Sequence, residues 1–457
     1  MSSNDDVQIL VTGGSGFLGR GIVAALQTTH PKWRISVLDR TAPEPKIIEQ
    51  LDHYFETDIT SKESVSRAFE KYAPDLVVHT AGIVPARQFR YSTKNQDWER
   101  VKSVNYDGTR NVLDAALASG CKHFVYTSSC TAAIDDLEHD YYYMNESVRI
   151  DLATLHYGKS KGMAEQYVLD PRHAEKGLKA CALRPCTIIG PGDVAVISLI
   201  HDLIAKNETY FIVGDGDNIY DFMYISNAVD AHVLAIENLL TSKTAAGEAF
   251  FISNQEPVYF WDFFAYIWAQ FGHFPRFRVR IPQSIAWFAA LFAEVYTWIT
   301  GAAPTLDTGS VKDGIRTQYS NNDKARRILG YVPRVGIAEG VRLACELSLK
   351  SFSTEQNIWH DVHFQIRVLR QQSHTDHRPT VSSYLDRLFD RFCANDIDND
   401  IHAFATCNSQ HFWSPFGRLT IVDEVFSTKA IRHCEFFIGG RGGNNSRPSR
   451  GGDLFKN

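Results

Sequence analysis

Three features of the 457-residue sequence predict an α/β fold built on a doubly wound parallel sheet, followed by a smaller C-terminal region. One is a glycine cluster, "VTGGSGFLG" at residues 11–19, directly behind the apolar run "VQIL". Another is the alternation of short apolar runs with stretches of helical spacing as far as residue 187. The third is that chemistry-bearing residues fall at the ends of those runs, and open parallel sheets bind ligands at the carboxyl ends of their strands.

Taken in order, "VQILVTG" is a strand-type run and "FLGRGIVAALQ" spaces its apolar residues for a helix, so Gly13, Gly16 and Gly19 sit on a strand-to-helix turn. Glycine there permits the tight turn, close approach of backbone to a pyrophosphate and close helix-to-strand packing. The helix N-terminus then faces the phosphates. The second strand, "RISVLDR", ends in Asp39, twenty residues after Gly19, where a carboxylate binds the ribose hydroxyls and repels a 2′-phosphate. A Rossmann-type sheet binding NAD is the expectation. Arg40 follows directly, and it is either a solvated charge or a contact for a 2′-phosphate, so NADP stays open. "HYFETDI" ends a third strand at Asp58, "PDLVVHTAG" a fourth at Ala81 and Gly82, "KHFVYTSS" a fifth at Ser128 and Ser129, and "KACALRPCTIIGPG" is a sixth. Helical patterns in "SKESVSRAFEKY" and "YDGTRNVLDAALASG" lie between them, as right-handed βαβ units require.

The chemistry is expected beside the fifth strand and the helix after it, in "YTSS" and "YGKSK". Tyr157 and Lys161 stand at i and i+4, on one helix face. A neighbouring cation favours phenolate and lowers a tyrosine pKa, making Tyr157 a usable general base. Ser129 is placed to hold the substrate oxygen while hydride leaves for a nicotinamide.

Composition narrows the classes. A net charge of −6 carries no footprint for nucleic acid, and 44% hydrophobic content supports a large core. The eight cysteines show neither CxxC nor metal-ligand spacing, which reads as reduced core thiols and no metal. "MSSNDDVQIL" lacks the charge and apolar run of a secretory signal, so the catalytic part is expected to face the cytosol.

TGGSGFLG, Asp39, Asp58, HTAG, Asn105 in "SVNYDGT", YTSS, YGKSK and "LRPCTIIGPGD" together resemble the extended short-chain dehydrogenase/reductases. Within them the second half, with "GDGDNIYDFMYISNAVDAHVLAIENL" and "NDKARRILGYVPRVGIAEGV", is similar to the 3β-hydroxysteroid dehydrogenase branch. The resemblance spans residues 7 to about 352. It implies Tyr157 as proton acceptor, Lys161 as ribose ligand and pKa modulator, and Ser129 as the active-site serine with Ser128 the adjacent alternative. Asn105 would help position the lysine. Cofactor contacts are implied for Gly13, Gly16, Phe17, Leu18, Gly19, Asp39, Asp58, Ile59, Ala81, Gly82 and Pro185, besides Tyr157 and Lys161.

The expected division is an NAD-binding, catalytic part over residues 1–187, a substrate-binding region over 188–353 and a tail over 354–457. "YFWDFFAYIWAQF" reads as a core helix that also walls an apolar pocket, and His232 in "SNAVDAHVLAIENL" as a structural histidine. "SIAWFAALFAEVYTWIT" approaches the ~20 residues of a membrane span but carries Glu294. Two readings stand for it, attachment to a membrane and a buried or pocket-covering helix. In the tail, "DIDND" lacks the glycine and glutamate of an EF-hand at Ile401 and Cys407, and "GGRGGNNSRPSRGG" reads as disordered.

The leading expectation is an NAD-dependent dehydrogenase oxidising the C3 hydroxyl of a sterol, steroid or triterpenoid-like compound, with loss of carbon dioxide where C4 bears a carboxylate. A nucleotide-sugar epimerase or dehydratase of the same fold is the first alternative. A coupled Δ5-Δ4 isomerase would need a further acid/base that no motif supplies. A non-catalytic NAD-binding regulatory protein is the alternative of another class. Expected partners are a hydrophobic small molecule, a membrane surface and a second copy of the chain, at the cytoplasmic face of the endoplasmic reticulum or in the cytoplasm.

Overall fold

The computed structural model describes residues 6–193, 195–300 and 306–353, the final helix by its backbone alone from residue 347. Expectations for the tail therefore lie outside the described residues. Seven strands form the central sheet: β1 Gln8–Thr12, β2 Arg34–Asp39, β3 Tyr54–Glu56, β4 Leu76–His79, β5 His123–Thr127, β6 Lys179–Pro185 and β7 Ala249–Ile252. Their spatial order is β7-β6-β5-β4-β1-β2-β3, and every pairing is parallel.

Alternation along the strands divides the core in two. Val11, Val37, Val78, Val125 and Leu183 face one side, with Ile22 and Leu26 of α1 (Phe17–Thr29). Leu10, Leu38, Val77, Phe124 and Ala182 face the other, against Val65 and Phe69 of α2 (Lys62–Lys71). Both faces are thus closed by helices, which is why the strand sequences are apolar on both sides. The segment between β4 and β5 departs from one regular helix. It runs as α3 (Asn95–Lys102), a π-helical turn over Ser103–Asp107 and α4 (Gly108–Ala118). Wide turns of this kind occur often at functional sites, and this one carries Asn105. α5 (His156–Val168) then presents the YGKSK motif.

Two sequence readings change here. The sixth run breaks after Pro185, and Thr187–Ile189 pairs instead with Phe222–Tyr224 in a separate two-stranded sheet. The boundary at residue 187 does not divide the sheet either. β7 and α6 (Ile225–Leu240) come from beyond it, with Ala228, Ile236 and Leu239 in the same core as Val11. "AFFI" is four residues long, too short for its period to reveal a strand. His232 on α6 is buried, its Nδ1 against the Ala228 carbonyl at 2.7 Å and its Nε2 against Thr127 Oγ1 at 2.9 Å, the structural role expected of it.

The aromatic stretch forms α7 (Phe260–Gln270) and buries Phe263, Ile267 and Trp268 in a third core cluster. The apolar stretch forms α8 (Gln283–Thr300), with only Ala286 and Ala290 buried. Phe292 is 72% exposed and Trp298 85%, so the reading of α8 as a buried helix is overturned. Glu294 accepts from Thr308 N at 2.7 Å and Thr308 Oγ1 at 2.8 Å, tying α8 to the start of α9 (Thr308–Asp313). No helix among the described residues is long and apolar enough to cross a membrane. Cys121, Cys130, Cys181, Cys186 and Cys345 are free and buried.

Candidate active site

The turn after β1 is a cradle that only glycine fits. Gly13 has φ +71°, and a Cβ there would lie 2.7 Å from the Ala81 backbone, so the ends of β1 and β4 approach through it. A Cβ on Gly19 would lie 2.1 Å from the Gly13 carbonyl oxygen, so α1 packs directly on the turn. Gly16 caps α1 without a side-chain hydrogen bond, leaving the first N–H groups of the helix, on Phe17, Leu18 and Gly19, for an anion. These features fit a dinucleotide pyrophosphate.

Asp39 sits at the end of β2 with its carboxylate oriented by two main-chain donors, Ser15 N at 3.1 Å and Thr41 N at 3.1 Å. Arg40 turns away to Asp58, 3.6 Å between Nη1 and Oδ2. Against the upward push of desolvation, the Thr60 N–H and hydroxyl and this guanidinium hold the Asp58 carboxyl below the usual range. Ile59 is buried under Gly108, where a Cβ would come within 2.7 Å of it. Pro185 ends β6, and its carbonyl accepts from Cys130 N at 3.0 Å, joining β6 to the serine loop.

Ser129, Tyr157 and Lys161 converge at the carboxyl end of β5. Ser129 Oγ accepts from Thr131 Oγ1 at 2.8 Å, which leaves its proton for the Tyr157 phenol. Ser128 is 2% exposed and its Oγ has no partner, so geometry favours Ser129 of the two. Lys161 is buried, and its Nζ donates to the Thr127 carbonyl at 2.9 Å. A Cβ on Gly82 would lie 3.1 Å from Asn105 Oδ1 and 3.2 Å from Lys161 Nζ, so the three meet at one point. Asn105 is pinned there by Ile83, whose N–H donates to Oδ1 at 2.8 Å and whose carbonyl accepts from Nδ2 at 3.0 Å.

The electrostatics bring in one group outside the motifs. Burial pushes the Tyr157 phenol up to about 12, opposed by the Ser129 hydroxyl and the Arg90 guanidinium. The Arg90 guanidinium is a cation that favours the phenol's anion, while Lys161 Nζ is bonded to the β5 carbonyl. Lys161 itself is pushed down to about 8 by desolvation. Sequence reasoning missed Arg90 because it lies on the loop after β4, outside every motif.

A cavity of about 660 Å³ opens nearby, lined by Glu138, His139, Asp140, Asp215, Arg280, Lys312 and Arg316 among others. None of the α7 aromatics lines it, so the expected aromatic wall is absent from this cavity and α7 serves the core. Ser129, Tyr157 and Lys161 do not line it either.

A model of the 3-beta hydroxysteroid dehydrogenase/isomerase family matches residues 10–283. The decarboxylating sterol-4-alpha-carboxylate 3-dehydrogenase of Schizosaccharomyces pombe is 34% identical over 336 residues, 72% of this chain and 94% of that one. Its Saccharomyces cerevisiae counterpart is 32% identical over 352 residues, 75% and 97% of the two chains. Among solved structures, the UDP-glucose 4-epimerase of Thermotoga maritima, described with UDP-glucose, is similar in fold, with a TM-score of 0.58 at 23% identity over 76% of this chain and 99% of its own. With a glycine cradle, an oriented Asp39 and a converged serine, tyrosine and lysine on a seven-stranded parallel sheet, this chain belongs to the 3-beta hydroxysteroid dehydrogenase/isomerase family and is an NAD-dependent oxidoreductase.

Proposed function

We propose that the chain oxidises the C3 hydroxyl of a sterol, steroid or triterpenoid-like alcohol to the ketone. The observation that carries this is the meeting of Ser129, Tyr157 and Lys161 beside the glycine turn. NAD, when bound, accepts the hydride. Tyr157 takes the hydroxyl proton, Ser129 orients the substrate oxygen, and Lys161, held by Thr127 O and adjoining Asn105, holds the ribose. Where C4 bears a carboxylate, as in the substrates named for the two yeast relatives, the new 3-ketone makes a β-keto acid that loses carbon dioxide without further protein groups. A screen following NADH absorbance with a 4α-carboxysterol, a 3β-hydroxysteroid, a triterpenoid alcohol and UDP-glucose tests the reading. Turnover of the carboxysterol with release of carbon dioxide is expected, and turnover of the UDP-sugar alone overturns it.

The cofactor preference is for NAD over NADP, since Asp39 is fixed by two N–H groups and Arg40 is engaged with Asp58. Asp39→Ala is expected to cut the ratio of kcat/KM for NAD over NADP at least ~10-fold, because repulsion of a 2′-phosphate is removed. Equal ratios before and after the change would dismiss this role.

We further place the protein on the cytoplasmic face of the endoplasmic reticulum, docked peripherally by α8. Ile285, Phe288, Phe292, Val295, Tyr296 and Ile299 form one exposed stripe at helical spacing, and Ala286 and Ala290 bury the opposite side. Glu294 leaves the stripe free of charge by turning to Thr308. Phe288→Asp with Phe292→Asp is expected to lower partitioning onto phosphatidylcholine vesicles at least ~10-fold, as the loss of two inserted aromatics implies. Wild-type protein that fails to sediment with vesicles would refute docking. A homodimer is also proposed, to be read from its mass in solution.

A further inference from the structure

We propose that the buried Arg90–Asp135 ion pair, braced by Asp313 from the C-terminal half, is a positioning device that sets the first turn of α5 and so holds Tyr157 against Ser129. The inference deepens the reading above and rests on Tyr157 as the proton acceptor.

α5 begins at His156 with Leu155 as its cap, which offers no side-chain hydrogen bond. Its first N–H groups need partners from elsewhere. Asp135 partners one of them and the chain entering the helix: Oδ2 accepts from Gly158 N at 2.9 Å, and its main-chain oxygen accepts from Thr154 N at 2.9 Å and from the cap residue's Leu155 N at 3.1 Å. Tyr157 is therefore tethered on both sides to one residue. That residue closes the short helix Thr131–Ile134, which begins two positions after Ser129. The contact leaves no slack, since a Cβ on Gly158 would lie 2.2 Å from the Thr131 carbonyl oxygen and 2.5 Å from Asp135 Cβ.

Asp135 is fully buried, so its charge has to be matched. Arg90 matches it with a two-pronged contact, Nη1 to Oδ2 at 2.7 Å and Nη2 to Oδ1 at 2.6 Å. Asp313, at the end of α9, stands 3.9 Å from Arg90 Nη2 and accepts from Arg316 Nη2 at 2.7 Å and the Tyr91 hydroxyl at 2.8 Å. The pair is thereby held from the C-terminal half as well as from the sheet. A carboxylate and a guanidinium now adjoin the phenol with opposite effects: Asp135 disfavours its anion and Arg90 favours it. The other groups facing the phenol are Ser129, Cys130 and Tyr126, with Lys161 one helical turn on.

The test reads position and charge separately. Amide hydrogen exchange over residues 154–162 needs no substrate, and Asp135→Ala and Arg90→Met are expected to speed it at least ~10-fold. The pH profile of kcat/KM with NAD and a 4α-carboxysterol reads the charges. Asp135→Asn keeps an acceptor for Gly158 N but leaves Arg90 unmatched, so the rising limb moves to lower pH. Arg90→Met leaves the carboxylate unmatched, and the limb moves to higher pH, each by about one unit. The double variant, neutral at both positions, returns the limb toward wild type, and Arg90→Lys restores part of the single loss. General destabilisation would not shift the two single variants in opposite directions. Should Arg90→Met not fold, Arg90→Lys replaces it in the exchange measurement, since a point charge cannot reproduce the fork. Unchanged exchange, or limbs moving the same way in folded variants that bind NADH, overturns the proposal. A wild-type protein inactive on every sterol removes the functional reading instead, and the exchange result still decides the clamp.

Discussion

Tyr157→Phe is expected to lower turnover by ~10² or more while NADH binding changes little, because the ring keeps its packing and only the acid/base oxygen is lost. Ser129 and the Arg90 guanidinium both bias that oxygen toward its charged form. The wild-type rate is expected to rise with pH. Desolvation lifts the phenol to about 12 in the free protein, so the competent anion grows as the solution becomes more alkaline. The rise is expected to disappear from whatever activity Tyr157→Phe retains. Stopped-flow measurement of NADH formation on one accepted alcohol checks both points, and near-normal turnover in the variant would send the search for the base elsewhere.

Lys161→Met is expected to damage binding and chemistry together, with NADH affinity falling ~10- to 100-fold, the range for losing a hydrogen bond from a charged group. Nζ is anchored on Thr127 O at 2.9 Å and meets Asn105 and Gly82 at the mouth of the glycine turn. The variant also strands a buried carbonyl, so a thermal melt belongs beside the titration. Desolvation favours the neutral amine and brings its pKa down to about 8. The ammonium is therefore present below that pH and lost above it. NADH affinity should weaken as pH rises through about 8 in the wild type and lose that dependence in Lys161→Met. Fluorescence titration of NADH across the range measures it, and a flat wild-type curve would count against the ribose role.

Much of this molecule could be read along the chain because its determinants are local. The positive φ of Gly13 and the close approach of Gly19 to the Gly13 carbonyl arise within a single turn, and the composition of the turn shows them. Strands buried on both faces are continuous apolar runs, so β1, β2, β4 and β5 are visible as such. Asp39 ends its strand, and Tyr157 and Lys161 share a face through helical spacing alone. The geometry of a few consecutive residues determines all of these.

What required the tertiary structure has no period and no neighbour in sequence. Arg90 and Asp135 are 45 residues apart, and Tyr91 and Asp313 are 222 apart. Nothing in either local pattern signals that a buried charge will meet its partner there. Lys161 shares a helix face with Tyr157 by spacing, but the Thr127 carbonyl that fixes its ammonium is supplied by the sheet. The apolar run of α7 became core and the apolar run of α8 stayed exposed, although the two compositions look alike. Spacing and composition tell which residues one helix face carries. Whether that face is covered depends on which other segments reach it, and only the folded chain decides that.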